Sequence, residues 1–254
     1  MITDSHAHIY YDSFDSDRDA IVARAHASGV TRMIVVGTSV ASSRQCFDIA
    51  QRVPGTFPTA GMHPHDASDS TPAARAEIER MCRSAECVAV GETGLDYFKN
   101  YSPKEAQLDN FRWHARLALA LDKPLIVHCR DAHDDTLAVL REHGGLRGVM
   151  HCYTYGAAEL PPYLELGFHI SFSGVVTYPK NEHNRAAARA VPEERLLVET
   201  DCPFLAPHSR RGQRNEPALC RDVLQRIADE RGTSLEALAR ATSANATRLF
   251  GLPE

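Results

Sequence analysis

Short apolar runs alternate with amphipathic stretches along almost the whole chain, and this alternation constrains the fold more than any other feature. The runs are Ile2–Ile9, Thr31–Gly37, Phe57–His63, Cys87–Thr93, Pro124–Cys129, Gly148–Cys152, Phe168–Ser173 and Leu196–Asp201. They are rich in Val, Ile and Leu with little polar alternation, as expected of strands covered on both faces. Between them, Ser16–Ala27, Ala41–Arg52, Ala73–Arg83, Lys104–Leu121, Asp134–His143, Glu182–Ala190 and Pro217–Glu230 read as helices, and Ser234–Phe250 as a last one. Leu108, Phe111, Ala115, Leu117 and Leu121 show the spacings of three and four that line one helix face. Eight strands alternating with helices over 254 residues predict an α/β fold, a single (β/α)8 TIM barrel spanning 1–254 as one domain. A doubly wound open sheet is the alternative. The barrel is favoured because polar residues gather at many strand ends. A barrel brings those ends to one mouth, whereas an open sheet spreads them along an edge.

Those strand ends carry the chemistry. The first run ends in His6-Ala7-His8, and residues two apart on a strand point to the same side, so one ion can take both imidazoles. Glu92 sits inside the apolar fourth run, where a buried carboxylate needs a cation, a hydrogen-bond network or a proton. The fifth run ends in His128, the sixth in His151 and the eighth in Asp201. Each residue alone has a plainer reading, as an exposed histidine or half of a salt bridge. Together, His6, His8, Glu92, His128, His151 and Asp201 lie at comparable depth on five different strands, which random surface placement would not produce. Imidazole and carboxylate ligands suit Zn, Mn, Fe, Co or Ni, and less often Mg. Six ligands exceed what one catalytic ion needs and suit two divalent ions.

Composition narrows the function classes. The formal net charge of −5 lacks the basic excess of a strong nucleic-acid or membrane binder, so any such contact must be local. No apolar stretch is long enough to span a bilayer, and Met1-Ile2-Thr3-Asp4 lacks the features of a signal peptide. Seven cysteines without framework spacing suit reduced thiols, so the cytoplasm is the expected compartment. Cys129, Cys152 and Cys202 each directly follow a candidate ligand and should therefore point to the opposite side, into the layer between strands and helices.

The strings Asp4-Ser5-His6-Ala7-His8, Gly61-Met62-His63-Pro64-His65, Gly91-Glu92-Thr93-Gly94-Leu95-Asp96-Tyr97 and His128-Cys129-Arg130-Asp131-Ala132 resemble the TatD family of metal-dependent hydrolases. So do His151-Cys152-Tyr153, Ser171-Phe172-Ser173-Gly174, Glu199-Thr200-Asp201-Cys202-Pro203-Phe204-Leu205-Ala206-Pro207 and Arg211-Gly212-Gln213-Arg214-Asn215-Glu216-Pro217. They occur in family order, nearly end to end. The resemblance implies an amidohydrolase-like barrel and a deoxyribonuclease acting on DNA ends, 3′-5′ exonuclease-like, through a metal-activated water. It implies that His6, His8, Glu92, His128, His151 and Asp201 hold the metal, with Glu92 bridging two ions and Asp201 taking the proton of the attacking water. It places His63 near the substrate phosphate. Two departures from the family pattern stand out, Tyr153-Thr154-Tyr155-Gly156 and Trp113-His114.

The expected substrate is single-stranded DNA or a frayed end, with no membrane and no obligate protein partner. Arg130 after the fifth strand, and Arg210, Arg211 and Arg214 after the eighth, are candidate backbone contacts, with a solvated loop as the plainer reading. Tyr97, Phe98, Tyr101, Tyr153 and Tyr155 are candidate base-stacking rings, with loop packing as the plainer reading. Hydrolysis of an ester or amide bond in a small or RNA-linked substrate is the alternative chemistry, since loops set the reaction on a barrel. A binding protein with a dead site is a third reading, against which the complete ligand set argues.

Overall fold

The computed structural model describes residues 1–253 of the chain. Strands and helices follow one another as β1 (Ile2–Ala7), α1 (Arg18–Ala27), β2 (Val30–Val35), α2 (Val40–Arg52), β3 (Thr56–Ala60) and α3 (Pro72–Cys82). Then come β4 (Ala89–Asp96), α4 (Lys104–Leu121), β5 (Leu125–Arg130), α5 (His133–Glu142), β6 (Gly148–Met150) and α6 (Leu160–Glu165). The chain closes with β7 (His169–Phe172), α7 (Glu182–Ala190), β8 (Leu196–Val198), α8 (Cys220–Arg231) and α9 (Leu235–Phe250). The strands form one eight-stranded sheet in sequence order. β1 pairs parallel with β2, and Ala7 forms a parallel bridge to Cys202 just past β8, so the first strand meets the last. Parallel strands in sequence order, helices between them and a joined first and last strand make the (β/α)8 barrel the sequence predicts.

The described residues group into two compact units. One comprises Met1–Val35, Cys152–Pro161 and His169 onward; the other comprises Val36–His151 and Pro162–Phe168. In the first, Ile9, Phe14, Ile21, Phe172, Leu224 and Ile227 are fully buried. In the second, Ile78, Leu95, Phe111, Leu125, Val139 and Tyr163 are. Each such side chain contributes about 1.5–3 kcal/mol by leaving water.

Local chemistry sets the helix ends. Ser39 and Ser42 form a reciprocal capping box at the start of α2. The Thr71 hydroxyl accepts from the Ala74 N–H ahead of Pro72, which occupies the first turn of α3 where no N–H is needed. The main departure from the expected elements is α6, which the sequence hides. It is only six residues long and holds Pro161 and Pro162, which read as breakers. In a first turn their missing N–H groups cost nothing.

Strand bounds differ as well. β4 runs on to Asp96 and is buried throughout, while β6 and β8 stop at Met150 and Val198, short of His151 and Asp201. Asp131, Cys152 and Asp201 have left-handed backbone (φ 53°, 42° and 57°), so the chain turns directly after β5, β6 and shortly after β8. Such non-glycine conformations concentrate where side chains are held for function. Gly94 (φ 133°) is required for a different reason, because a side chain there would collide with the His128 carbonyl across β4 and β5.

Candidate metal centre

In the second unit the site is built around one carboxylate oxygen. β4 carries Glu92 into a buried position, and three imidazole nitrogens converge on its Oε1. His151 Nε2 lies at 2.9 Å, His128 Nδ1 at 3.2 Å and His63 Nε2 at 3.3 Å. His128 Nδ1 is also 3.2 Å from His151 Nε2.

The outer partners assign the ring protons. Asp96 Oδ2 lies 3.2 Å from His128 Nε2 and 2.9 Å from His65 Nε2, so the His128 proton sits on Nε2. The His128 Nδ1 lone pair therefore faces the lone pairs of Glu92. Two acceptors so placed repel unless a proton or a metal ion lies between them. His63 differs: its Nδ1 accepts from the His65 N–H (3.1 Å), which leaves the proton on Nε2 to donate to Glu92. His63 is thus a hydrogen-bond donor here.

Burial is the strongest influence on His128, disfavouring its charge, yet Asp96 and Glu92 together raise its pKa above the ordinary value. Burial likewise dominates at His63 and, against the pull of Glu92, lowers its pKa to about 4, so the ring is neutral near pH 7. Asp96 falls well below the usual carboxylate range: burial opposes this, and hydrogen bonds from His128, the Lys99 N–H and His65 overcome it.

The first unit carries a second cluster. His6 Nε2 and His8 Nε2 face each other at 3.1 Å, and Asp201 Oδ1 lies 3.3 Å from His8 Nε2 and 3.8 Å from His6 Nε2. Two imidazole nitrogens this close share one proton or one cation. Asp4, buried beneath them, accepts from the His6 N–H (3.2 Å), the Thr200 N–H (2.9 Å) and the Thr200 hydroxyl (2.6 Å). It thereby holds the chain bearing His6 to the chain bearing Asp201. Burial pushes the Asp4 carboxyl up to about 7.

The donor sets of both clusters fit divalent ions: imidazole nitrogens and carboxylate oxygens face one another, and in the second unit Asp96 fixes the His128 ring. Nitrogen or oxygen atoms of His63, Glu92 and His128 lie within 4.8 Å of one another, and of these Glu92 and His128 present the lone pairs.

The structure also sorts the secondary candidates. Arg214 is not free to meet a backbone, since it binds Asp17 (2.6 Å) and the Ser13 carbonyl and covers the Phe14 ring. Arg211 lies 5.0 Å from the Tyr178 ring centre, and Arg130 sits 3.9 Å above the Phe98 ring. Tyr153 is buried, and its hydroxyl donates to the Gly156 carbonyl (2.9 Å), so it packs the loop rather than facing the mouth. His114 is buried as well, donating from Nδ1 to the Asn110 carbonyl and accepting the Met62 N–H at Nε2. It props the segment leading to His63, so this departure from the family pattern serves structure. Cys129 accepts from the Thr136 hydroxyl of α5, in line with a thiol turned toward the helix layer; Cys202 is buried, and Cys152 Sγ lies 3.1 Å from the Ser173 hydroxyl just past β7.

Asp96 is the functional residue that residue-by-residue reading passes over. Its signal in the sequence is its place at the end of an apolar strand, inside Gly91-Glu92-Thr93-Gly94-Leu95-Asp96-Tyr97. Asp96→Asn is expected to weaken metal binding about 10–100-fold, the usual cost of losing an outer-shell partner. Metal titration of the stripped variant checks this, and unchanged affinity would remove Asp96 from the centre.

A parallel β/α barrel with imidazole–carboxylate clusters at its strand ends defines the class of metal-dependent barrel hydrolases. The family model described as TatD related DNase matches residues 3–251, and the chain belongs to this family. It is 40% identical over 255 residues to the uncharacterized metal-dependent hydrolase YcfH of Escherichia coli (strain K12), covering 98% of this chain and 96% of that protein. It is also 40% identical over 249 residues to the 3′-5′ ssDNA/RNA exonuclease TatD of Citrobacter rodentium (strain ICC168), covering 94% of each. Among solved structures, the TatD homologue YjjV of Escherichia coli K12 superposes with a TM-score of 0.94 at 27% identity, covering 99% of this chain and 98% of that one. No helix among the described residues is long and apolar enough to cross a membrane.

Proposed function

We propose that this chain is a metal-dependent nuclease that shortens single-stranded DNA, or RNA, from a 3′ end. The observation that carries the reading is the convergence of His63, His128 and His151 on Glu92 Oε1, backed by Asp96. In this reading His6, His8, Glu92, His128, His151 and Asp201 would hold two divalent ions. Imidazole–carboxylate clusters inside each unit support it, as does the likeness to the Citrobacter exonuclease.

When bound, the ions lower the pKa of a water and draw charge from a phosphoryl oxygen. Asp201 takes the proton of the attacking water at a carboxylate oxygen. Neutral His63 would turn its Nε2 proton from Glu92 to a phosphate oxygen of the substrate. Asp96 keeps the His128 proton on Nε2, so that Nδ1 stays a ligand. Arg130 and Arg211 offer positive charge to the backbone. The seven free cysteines suit a reducing compartment, and we place the chain in the cytoplasm.

The test reconstitutes metal-stripped protein with Mg, Mn, Zn or Co. It then compares end-labelled single-stranded DNA with a panel of small esters and amides. Metal-dependent release of mononucleotides from the 3′ end is expected. Acyl hydrolysis with inert DNA would refute the nuclease reading and leave the ligand set standing.

A further inference from the structure

Five aromatic rings follow β4 and β6; Tyr155 is half-buried, and the structure separates the other four. Tyr97 is tethered, its hydroxyl donating to Asp135 (2.8 Å) under the Lys104 ammonium, 4.7 Å from its ring centre. Tyr153 is buried. Phe98 and Tyr101, by contrast, are 57% and 67% exposed on the short loop after β4. A single exposed ring is ordinary, but two on one short loop make a patch of the kind that marks an interaction surface.

Their setting points to an occupant. Lys99 Nζ lies between the two, 5.9 Å from the Phe98 ring centre and 5.8 Å from that of Tyr101. The Arg130 guanidinium covers one face of Phe98 at 3.9 Å. Among the described residues, neither Lys99 nor Arg130 has a carboxylate partner in a salt bridge, so both charges remain available. The loop is anchored to the metal cluster. The Lys99 N–H donates to Asp96 Oδ1 (2.8 Å), and Tyr101 meets the His65 ring edge-on at 4.8 Å. The other carboxylate oxygen of Asp96 receives His128 and His65.

Two exposed rings with two unpaired cations, fixed to an outer partner of the metal ligands, match the surface of an unpaired strand. Rings take base faces and cations take phosphates. We infer that Phe98 and Tyr101, with Lys99 and Arg130, form a stacking platform that holds the bases of the substrate strand next to the reacting end. This inference rests on the nuclease reading and adds to it that the strand is gripped through its bases. A duplex, whose base faces are stacked on one another, gains nothing from such a platform.

The test separates bases from backbone. Metal-loaded full-length protein is titrated with a short single strand carrying cleavage-resistant phosphorothioate linkages, and with a base-free strand of equal length and charge. The wild-type protein is expected to bind the strand with bases at least about ten-fold more tightly, the scale of one stacked base. In the Phe98→Ala, Tyr101→Ala double variant that ratio should collapse toward one, and Phe98→Trp should retain it. An unchanged ratio in the double variant overturns the platform while leaving the nuclease reading intact. So does equal weakening on both strands, which would report a backbone contact. A wild-type protein that binds neither strand overturns both.

Discussion

Glu92→Gln is expected to lower metal-dependent hydrolysis by more than about 100-fold, beyond the 10–100-fold typical of losing an outer-shell partner. The substitution keeps the shape of the side chain and removes the charge toward which three imidazoles point. The neutral amide is a poor ligand, and its NH2 group offers protons where lone pairs are needed. Metal content per chain should fall in parallel, read by elemental analysis of protein reconstituted and desalted. The fold should survive, because β4 is held by its pairing with β5 and by buried neighbours such as Val90 and Leu95. Circular dichroism separates this outcome from simple unfolding. Full activity with a full metal complement in the variant would take Glu92 out of the centre. His128→Ala should behave alike.

The second large effect is thermal. Ligands that bind only the folded state add stability according to their concentration over Kd, about 4 kcal/mol at a thousand-fold excess. A chain of this size gains roughly 2–4 °C per kcal/mol, so chelation should lower Tm by roughly 8–16 °C. Repulsion between facing lone pairs in the stripped clusters acts in the same direction. Re-addition of the ion should restore both Tm and hydrolysis. A melting curve indifferent to chelator, in protein shown to have lost its metal, would mean that the clusters are stable without an ion.

Much of this was legible in the sequence, because the relevant signals are local. An apolar run ending in His or Glu needs no tertiary information to be noticed, and His6, Glu92, His128 and His151 stand out in that way. The barrel was legible from the number of strands and their covered-face composition. Other features depend on neighbours distant in sequence. Asp96 gains its role only because His65 and His128 reach it from other segments. Arg214 looked available until the structure paired it with Asp17. Tyr153 and Tyr101 are indistinguishable as letters, yet one is buried under its own loop and the other stands in solvent. Helix α6 was hidden by prolines whose cost depends on their position within a turn.

The tie between Asp4 and Thr200 joins residues 196 positions apart. During synthesis β1 emerges first and must wait for nearly the whole chain before its final neighbour exists. Until then its outer edge has unpaired backbone groups, the kind of template on which strands of other molecules add. The Glu92 cluster faces no such delay, since its residues fall within Val36–His151. A ribosome stalled before Thr200 would therefore release a chain with one cluster formed and one edge exposed. Chaperone binding to nascent chains should persist until β8 has left the exit tunnel.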